Sequence, residues 1–240
     1  MLRPRLSVCL TTCNMGAILP VVLDNVDAVA DEIVVVDNFS TDETAAIVAR
    51  HAKARLLQRP FPGSLGQNKN LSIEAARGDW VLLVDSDELL GDELRSRLPR
   101  LVGASGFDYY KLPRYWLSPA VDGHYVHSDK HYPDWQLRLF RNRPFFRYPA
   151  GAGVHHHFPR QGRGRGRKVA GCHLFHLDFL LLDRARRERK VAERTRIDPR
   201  SREVNRAFYL FEDRPHELRR CREPLSGVSL TELRPLQTPA

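Results

Sequence analysis

Trp80-Val81-Leu82-Leu83-Val84-Asp85-Ser86-Asp87-Glu88 runs five apolar residues straight into three acids and a serine. The apolar part shows no polar alternation, so it reads as a strand covered on both faces, as in a parallel sheet. Glu32-Ile33-Val34-Val35-Val36-Asp37 repeats the pattern upstream and also stops on an acid. Leu6 to Thr11 is a shorter first strand, followed by Asn14 and Gly16 as turn residues and an apolar helical stretch from Ala17 to Val29. Ser40-Thr41-Asp42-Glu43 has the S-x-x-E spacing of a capping box, which predicts a helix from Thr41 to Ala52. A third strand is expected over Ala54 to Gln58. Pro60 to Gly66 is turn-rich, and a helix over Gln67 to Arg77 should close at Gly78. Strands alternating with helices in this way give right-handed βαβ units and an α/β fold with a mostly parallel sheet. Ligands of such sheets sit beyond the carboxyl ends of the strands, where Asp37 and Asp85 stand.

The composition supports a chain with a substantial core: 240 residues, 42% hydrophobic and 28% charged, which sets aside disorder and fibrous classes. The net charge of +9 is concentrated. Eight basic residues and no acid fall between Arg141 and Lys168, and the remainder is close to neutral. A segment of that kind suits an anionic partner such as a nucleotide, nucleic acid or lipid head group. The bland alternative is a solvated mobile loop, since Gly162-Arg163-Gly164-Arg165-Gly166-Arg167 has a linker's composition. Cys9, Cys13, Cys172 and Cys221 form no C-x-x-C pair, which argues against a disulfide scaffold or structural zinc and for a reducing compartment. The longest apolar runs fall far short of the ~18 residues of a membrane span. The opening Met1 to Leu10 is interrupted by Thr11, Thr12 and Asn14, so it is read as a strand instead of a signal peptide.

Asp85 and Asp87, one residue apart at a strand's end, offer hard oxygen ligands to Mg²⁺ or Mn²⁺. Mg²⁺ takes only one or two protein carboxylates and fills its shell with water and phosphates, so the pair calls for a diphosphate partner. The alternative is a solvent-facing acidic turn, and placement in the ligand crevice favours the metal.

Three ordered motifs make the reading specific: Leu6-Ser7-Val8-Cys9-Leu10-Thr11-Thr12-Cys13-Asn14, Val35-Val36-Asp37-Asn38-Phe39-Ser40-Thr41-Asp42, and Gly78 through Glu88. Together they resemble a family 2 glycosyltransferase with the GT-A fold, most like bacterial enzymes that elaborate lipopolysaccharide cores and surface glycans. The similarity continues more weakly through Tyr132 to Arg141. The resemblance implies a Rossmann-like, mostly parallel sheet flanked by helices, an acceptor-side extension, and a charged C-terminal helix and tail. It places Thr11, Cys13, Asn14, Asp37 and Asn38 at the nucleoside, Asp85 and Asp87 at the metal, Lys69 near the nucleotide-sugar, and Arg138 near the diphosphate or acceptor. Cys13 stands where many relatives carry an aromatic, and Asn38 where many carry a second Asp. A late histidine that completes the metal shell in such enzymes matches His176, although His173 and His176 also suit core positions.

Inverting transfer needs a general base for the acceptor hydroxyl and a cation for the departing nucleoside diphosphate. Asp134 and the triplet His155-His156-His157 are the candidates for the base. A Val-His-Glu signature of relatives aligns with Val154-His155-His156, which puts an imidazole at His156 in place of a carboxylate. Residues 1–101 are assigned to nucleotide-sugar binding, 102–182 to the acceptor side of the same domain, and 183–240 to a charged helical segment ending in a poorly anchored tail after Pro224. Tyr109, Tyr110, Tyr115 and Trp116 are read as core before sugar-stacking surface. The expected partners are a nucleotide diphosphate sugar and a glycan, lipid-linked or small-molecule acceptor, in the cytoplasm, with peripheral contact to an anionic membrane. The rival readings are a nucleic-acid or anionic-surface binder using residues 141–168, and a sugar nucleotidyltransferase, which would want a G-x-G-x-R-L loop that the first βα turn lacks. Nucleic acid leaves the acidic turns unexplained.

Overall fold

The computed structural model describes residues 3–149, 164–230 and 233. The first half follows the expected alternation: β1 (Leu6–Thr12), α1 (Leu19–Asp27), β2 (Glu32–Asp37), α2 (Thr44–Arg50), β3 (Ala54–Gln58), α3 (Leu65–Ala75) and β4 (Trp80–Leu83). It continues through β5 (Glu88–Leu90), α4 (Asp92–Gly103), β6 (Tyr109–Trp116), β7 (His124–His127), β8 (Asp134–Arg141), β9 (Gly166–Lys168) and β10 (Leu174–His176). The last elements are α5 (Asp178–Leu181), α6 (Arg184–Ile197), α7 (Arg202–Tyr209) and β11 (Glu217–Arg220).

Among the described residues one nine-stranded sheet runs in the order β3-β2-β1-β4-β8-β6-β10-β5, with β9 added beside β6. The β3-β2-β1-β4 part is wholly parallel, whereas β8 joins β4 and β6 antiparallel. Ile33, Val34, Val35 and Val36 are all fully buried, as are Trp80 to Leu83. Each such side chain contributes about 1.5–3 kcal/mol by leaving water. Packing from both faces therefore explains why the strands carry no polar alternation. The aromatic expectation for β6 holds for Tyr110, Tyr115 and Trp116, which are buried, with Trp80 stacked on Tyr110 at 5.7 Å, whereas Tyr109 is half-buried.

Four local readings are corrected. Helix α2 starts at Thr44, not Thr41, because the Ser40 hydroxyl and N–H both turn to Asp37 and leave no cap. Asp42 accepts the Thr44 N–H instead, at 3.0 Å. Helix α3 starts on a Ser64 cap and ends at Ala75, so Gly78 does not close it. That glycine is needed for close approach, because a Cβ there would lie 2.6 Å from Ser7 Oγ and 2.9 Å from the Arg5 carbonyl. Gly78→Ala is expected to lower stability by about 1–3 kcal/mol through overpacking, read as a lower urea midpoint at unchanged slope. An unmoved midpoint would contradict the close packing.

The third correction concerns the basic segment. Gly166–Lys168 forms β9 against β6, and a Cβ on Gly166 would fall 2.0 Å from the Tyr109 ring, so this part is a fitted strand and no mobile loop. The fourth concerns the segment from Pro224 to Leu230. Ser226 donates its N–H to Asp92 at 3.1 Å, and Leu225, Val228 and Leu230 pack on the core, so the chain is anchored there. All four cysteines are free thiols.

Candidate active site

The parallel half of the sheet delivers β1, β2 and β4 side by side with their carboxyl ends at one edge. Thr12 pairs in register with Asp37, and Val84 donates to the Cys9 carbonyl at 3.0 Å. Thr11, Cys13 and Asn14 leave β1, Asp37 and Asn38 leave β2, and Asp85 leaves β4, so these residues converge on a common rim. Asn14 and Phe39 adopt left-handed backbone with φ of 53° and 57°. For residues other than glycine this is strained geometry of the kind found at functional sites. It is held by cross-links: Asn14 N–H to Ser40 Oγ at 2.8 Å and Thr41 N–H to Asn14 Oδ1 at 2.8 Å. Asp37 is fully buried and accepts from Ser40 and from Gln58 Nε2 at 3.2 Å. Asn38 exchanges amide hydrogen bonds with Asn68 of α3 at 3.0 and 2.8 Å. Cys13 is exposed, its Sγ 3.7 Å from the Asn38 carbonyl.

Beyond this rim lies a ladder of alternating charge. Lys69 Nζ meets Asp85 Oδ1 at 2.5 Å, and Arg138 Nη2 meets Asp85 Oδ2 at 2.5 Å and Glu88 Oε1 at 2.7 Å. Arg114 Nη1 lies 2.7 Å from the same Glu88 oxygen, and its Nη2 2.7 Å from Asp134 Oδ2. Burial works against ionisation of Asp85, but Arg138 and Lys69 outweigh it and hold its carboxyl well below the ordinary range. Arg138 is likewise opposed by burial yet pushed well up by Asp85 and Glu88. Its Nε is buried without a partner among the described residues.

Asp87 differs from its neighbour. Among the described residues no N–H or O–H donates to its carboxylate, and its ion-pair contact is His176 Nε2 at 3.7 Å. Burial first, and then the charges of Asp178 and Asp85, push its pKa up to about 6. His176 lies in β10 against Trp116, with ring centroids 4.2 Å apart. Burial, reinforced by Arg114, lowers its pKa to about 3, so the imidazole is neutral and able to offer a lone pair. An ionisable oxygen lacking a cation beside a neutral imidazole is a donor set that suits Mn²⁺ or Mg²⁺. Among the described residues no group of three or more His, Cys, Asp or Glu is arranged around one point. A cation here would therefore take most of its shell from water and phosphate oxygens, as Mg²⁺ does in phosphate sites.

Asp134 accepts from Arg114 Nε at 2.8 Å, Trp116 Nε1 at 2.9 Å and Gln136 Nε2 at 2.5 Å. Burial raises its pKa, but Arg114 and the hydrogen bonds bring it below the ordinary value. His155, His156 and His157 lie outside the described residues. His173, the alternative to His176, stacks on Tyr115 at 3.9 Å and pairs with Glu223 at 2.6 Å, so it belongs to the core. Glu88, Arg114, Asp178, Lys190 and Glu223 were not picked out from sequence. Arg114 carried a readable signal, since an arginine between aromatics in an otherwise buried strand requires carboxylates.

In its described part the basic segment lays cations over aromatic rings while Arg143 and residues 164–168 stay exposed. Arg141 lies 4.8 Å over Trp80, Arg165 and Arg167 lie 5.3 and 5.6 Å over Phe107, and Lys168 lies 5.0 Å over Trp135. No helix among the described residues is long and apolar enough to cross a membrane.

The model of the family described as Glycosyl transferase family 2 matches residues 7–169. An uncharacterised glycosyltransferase of Rickettsia bellii is 32% identical over 110 residues, which cover 46% of this chain and 37% of that protein. The lipopolysaccharide core biosynthesis glycosyltransferase LpsC of Rhizobium meliloti is 36% identical over 104 residues, covering 42% and 38%. The matches thus span less than two fifths of these relatives' own length. Among solved structures, mannosyltransferase PcManGT from Pyrobaculum calidifontis in complex with GDP-Man and Mn²⁺ has a TM-score of 0.54 at 17% identity, covering 86% of this chain and 69% of that one. Residues 1–349 of TarS from S. aureus give 0.52 at 16%, covering 81% and 66%. These two likenesses establish a shared GT-A fold.

Proposed function

Since this chain belongs to glycosyl transferase family 2, we propose that its crevice transfers a sugar from a nucleotide diphosphate sugar to a hydroxyl of a glycan, lipid-linked or small-molecule acceptor, with inversion and with a divalent cation. The observation that carries the reading is the contrast between two acids one residue apart. Asp85 is neutralised by Lys69 and Arg138, whereas among the described residues no Lys or Arg forms an ion pair with Asp87, which faces His176. Asp87 and His176 are the residues that would hold Mg²⁺ or Mn²⁺. When bound, the cation would neutralise charge growing on the departing diphosphate.

The remaining chemistry belongs to the chain's own side chains. Thr11, Cys13, Asn14, Asp37 and Asn38 form the rim that receives the nucleoside. Lys69 and Arg138 bind the diphosphate, Arg138 with its unpartnered Nε as a further donor. Asp85 keeps both cations in place before the donor arrives. The acceptor hydroxyl loses its proton to a base and attacks the anomeric carbon from the face opposite the diphosphate, which inverts the linkage. Asp134, with its carboxylate bonded to Arg114, Trp116 and Gln136, is a poor proton acceptor, so we assign the base to His156 and give Asp134 the task of fixing Arg114. The LpsC likeness favours a surface glycan as acceptor, and the Mn²⁺ in the Pyrobaculum complex favours manganese.

A panel of UDP-, GDP-, CDP- and dTDP-sugars with Mn²⁺, Mg²⁺ or EDTA, followed by release of the nucleoside diphosphate and by proton NMR of the product anomer, tests this. One nucleotide class should be turned over, only with metal, and an α-linked donor should give a β-linked product. Equal turnover in EDTA would remove the metal from the proposal, and a retained anomer would remove the base.

A further inference from the structure

Asp178 follows His176 by two residues at the start of α5 and is 2% exposed. One of its carboxylate oxygens, Oδ1, takes Lys190 Nζ of α6 at 2.5 Å, and Lys190 in turn lies 4.8 Å over the Tyr209 ring. The other, Oδ2, is buried with no hydrogen-bond partner, and it is the one carboxylate oxygen in that state among the described residues. A buried acceptor left open costs stability, so its retention calls for a use. The use lies with the imidazole two residues before it, whose Nδ1 is 3.4 Å from the Asp178 backbone nitrogen.

A neutral imidazole carries one ring proton. With Nε2, the nitrogen nearer Asp87, giving its lone pair to a cation, the proton must sit on Nδ1 and needs an acceptor. The Asp178 backbone N–H points at Nδ1 from 3.4 Å, a long contact that a proton on Nδ1 would replace. We infer that Asp178 is a positioning residue for His176: its open Oδ2 accepts the Nδ1 proton when a cation occupies Nε2, while Lys190 pins Oδ1 and so fixes the carboxylate. This rests on the proposed metal role of Asp87 and His176. It ties the site to the arginine-rich helix α6, a segment that no motif marked.

The test measures Mn²⁺ affinity by electron paramagnetic resonance in the presence of UDP or GDP, whichever stabilises the wild-type protein. Asp178→Asn should weaken Mn²⁺ binding by about 10–100-fold, the usual effect of losing an outer carboxylate, with binding of the nucleotide alone unchanged. Lys190→Gln should give a smaller loss of the same kind. His176→Ala separates the two claims. If it leaves Mn²⁺ affinity unchanged, the metal role of His176 fails, and the present inference with it. If it weakens Mn²⁺ binding while folded Asp178→Asn and Lys190→Gln bind as wild type, only the role of Asp178 fails. A measurement on the unaltered protein decides the matter should either variant not fold: ¹⁵N-histidine NMR with Mg²⁺ and nucleotide should show His176 protonated at Nδ1. A proton on Nε2 in that complex would overturn the inference.

Discussion

Asp87→Asn is expected to reduce sugar transfer by about 10²–10³-fold or more while making the metal-free protein more stable at neutral pH. Both effects follow from one environment. The Asp87 carboxyl, ordinarily near 3.8, is pushed up to about 6 by burial and then by Asp178 and Asp85, with Lys190 and Arg114 only partly compensating. Between pH 4 and 6 the folded protein therefore binds more protons at this position than the unfolded chain does, and stability falls as the pH rises through that window. At pH 7 the ionised carboxylate therefore works against folding. Asparagine keeps the shape and removes the charge. Urea unfolding should show the variant ahead at pH 7 and level with the wild type near pH 4, and equal stability at both values would show that Asp87 is not held without a cation. Loss of activity together with gain of stability is the signature of a group kept for a ligand and not for the fold.

The opposite balance is expected at Arg138. Its side chain is 4% exposed and its Nη2 serves both Asp85 and the fully buried Glu88. Arg138→Met leaves Glu88 to Arg114 and the Asp85 N–H, and Asp85 to Lys69 alone. Removing one partner of a buried ion pair costs about 3–5 kcal/mol, because the other charge stays behind in low dielectric. Arg138→Lys should recover only part of this, since one ammonium does not reproduce the planar fork. Lys69→Met, at a more open position with Asp85 still held by Arg138, should cost less than Arg138→Met. Denaturant midpoints of the three variants give the order, and an Arg138→Met protein as stable as Lys69→Met would mean that the ladder adds nothing to the fold.

The sequence made the parallel strands readable because their signal is local. Ile33 to Val36 and Trp80 to Leu83 are continuous apolar runs, and the acids that end them fall at the crevice by the geometry of βαβ units. Asp37, Asp85, Asp87, Lys69 and Arg138 could be named on that basis together with the family resemblance. What escaped was pairing at long range. Arg114 meets Glu88 across 26 residues, and His173 meets Glu223 across 50. No periodicity records such contacts. The S-x-x-E motif misled for a related reason, as Ser40 gives its hydroxyl and N–H to Asp37 instead of accepting from the helix it was expected to cap. The glycines of the basic segment looked like linker residues, yet Gly166 exists to let a strand pass over Tyr109. Lys190 was one charge among many in the expected charged helical segment, and its pairing with Asp178 places it behind the candidate metal pair.

Thermal unfolding of the wild-type protein and of Asp87→Asn with UDP, GDP, CDP and dTDP, each with and without Mn²⁺, bears most directly on whether the two acids serve a metal diphosphate. A ligand present at a hundred times its Kd stabilises the native state by about 2.7 kcal/mol. One nucleotide should give a shift of that order with Mn²⁺, much less without it, and none in Asp87→Asn. Stabilisation that is independent of metal or that persists in Asp87→Asn, or no stabilisation by any nucleotide, would contradict the assignment of Asp87 to a metal diphosphate.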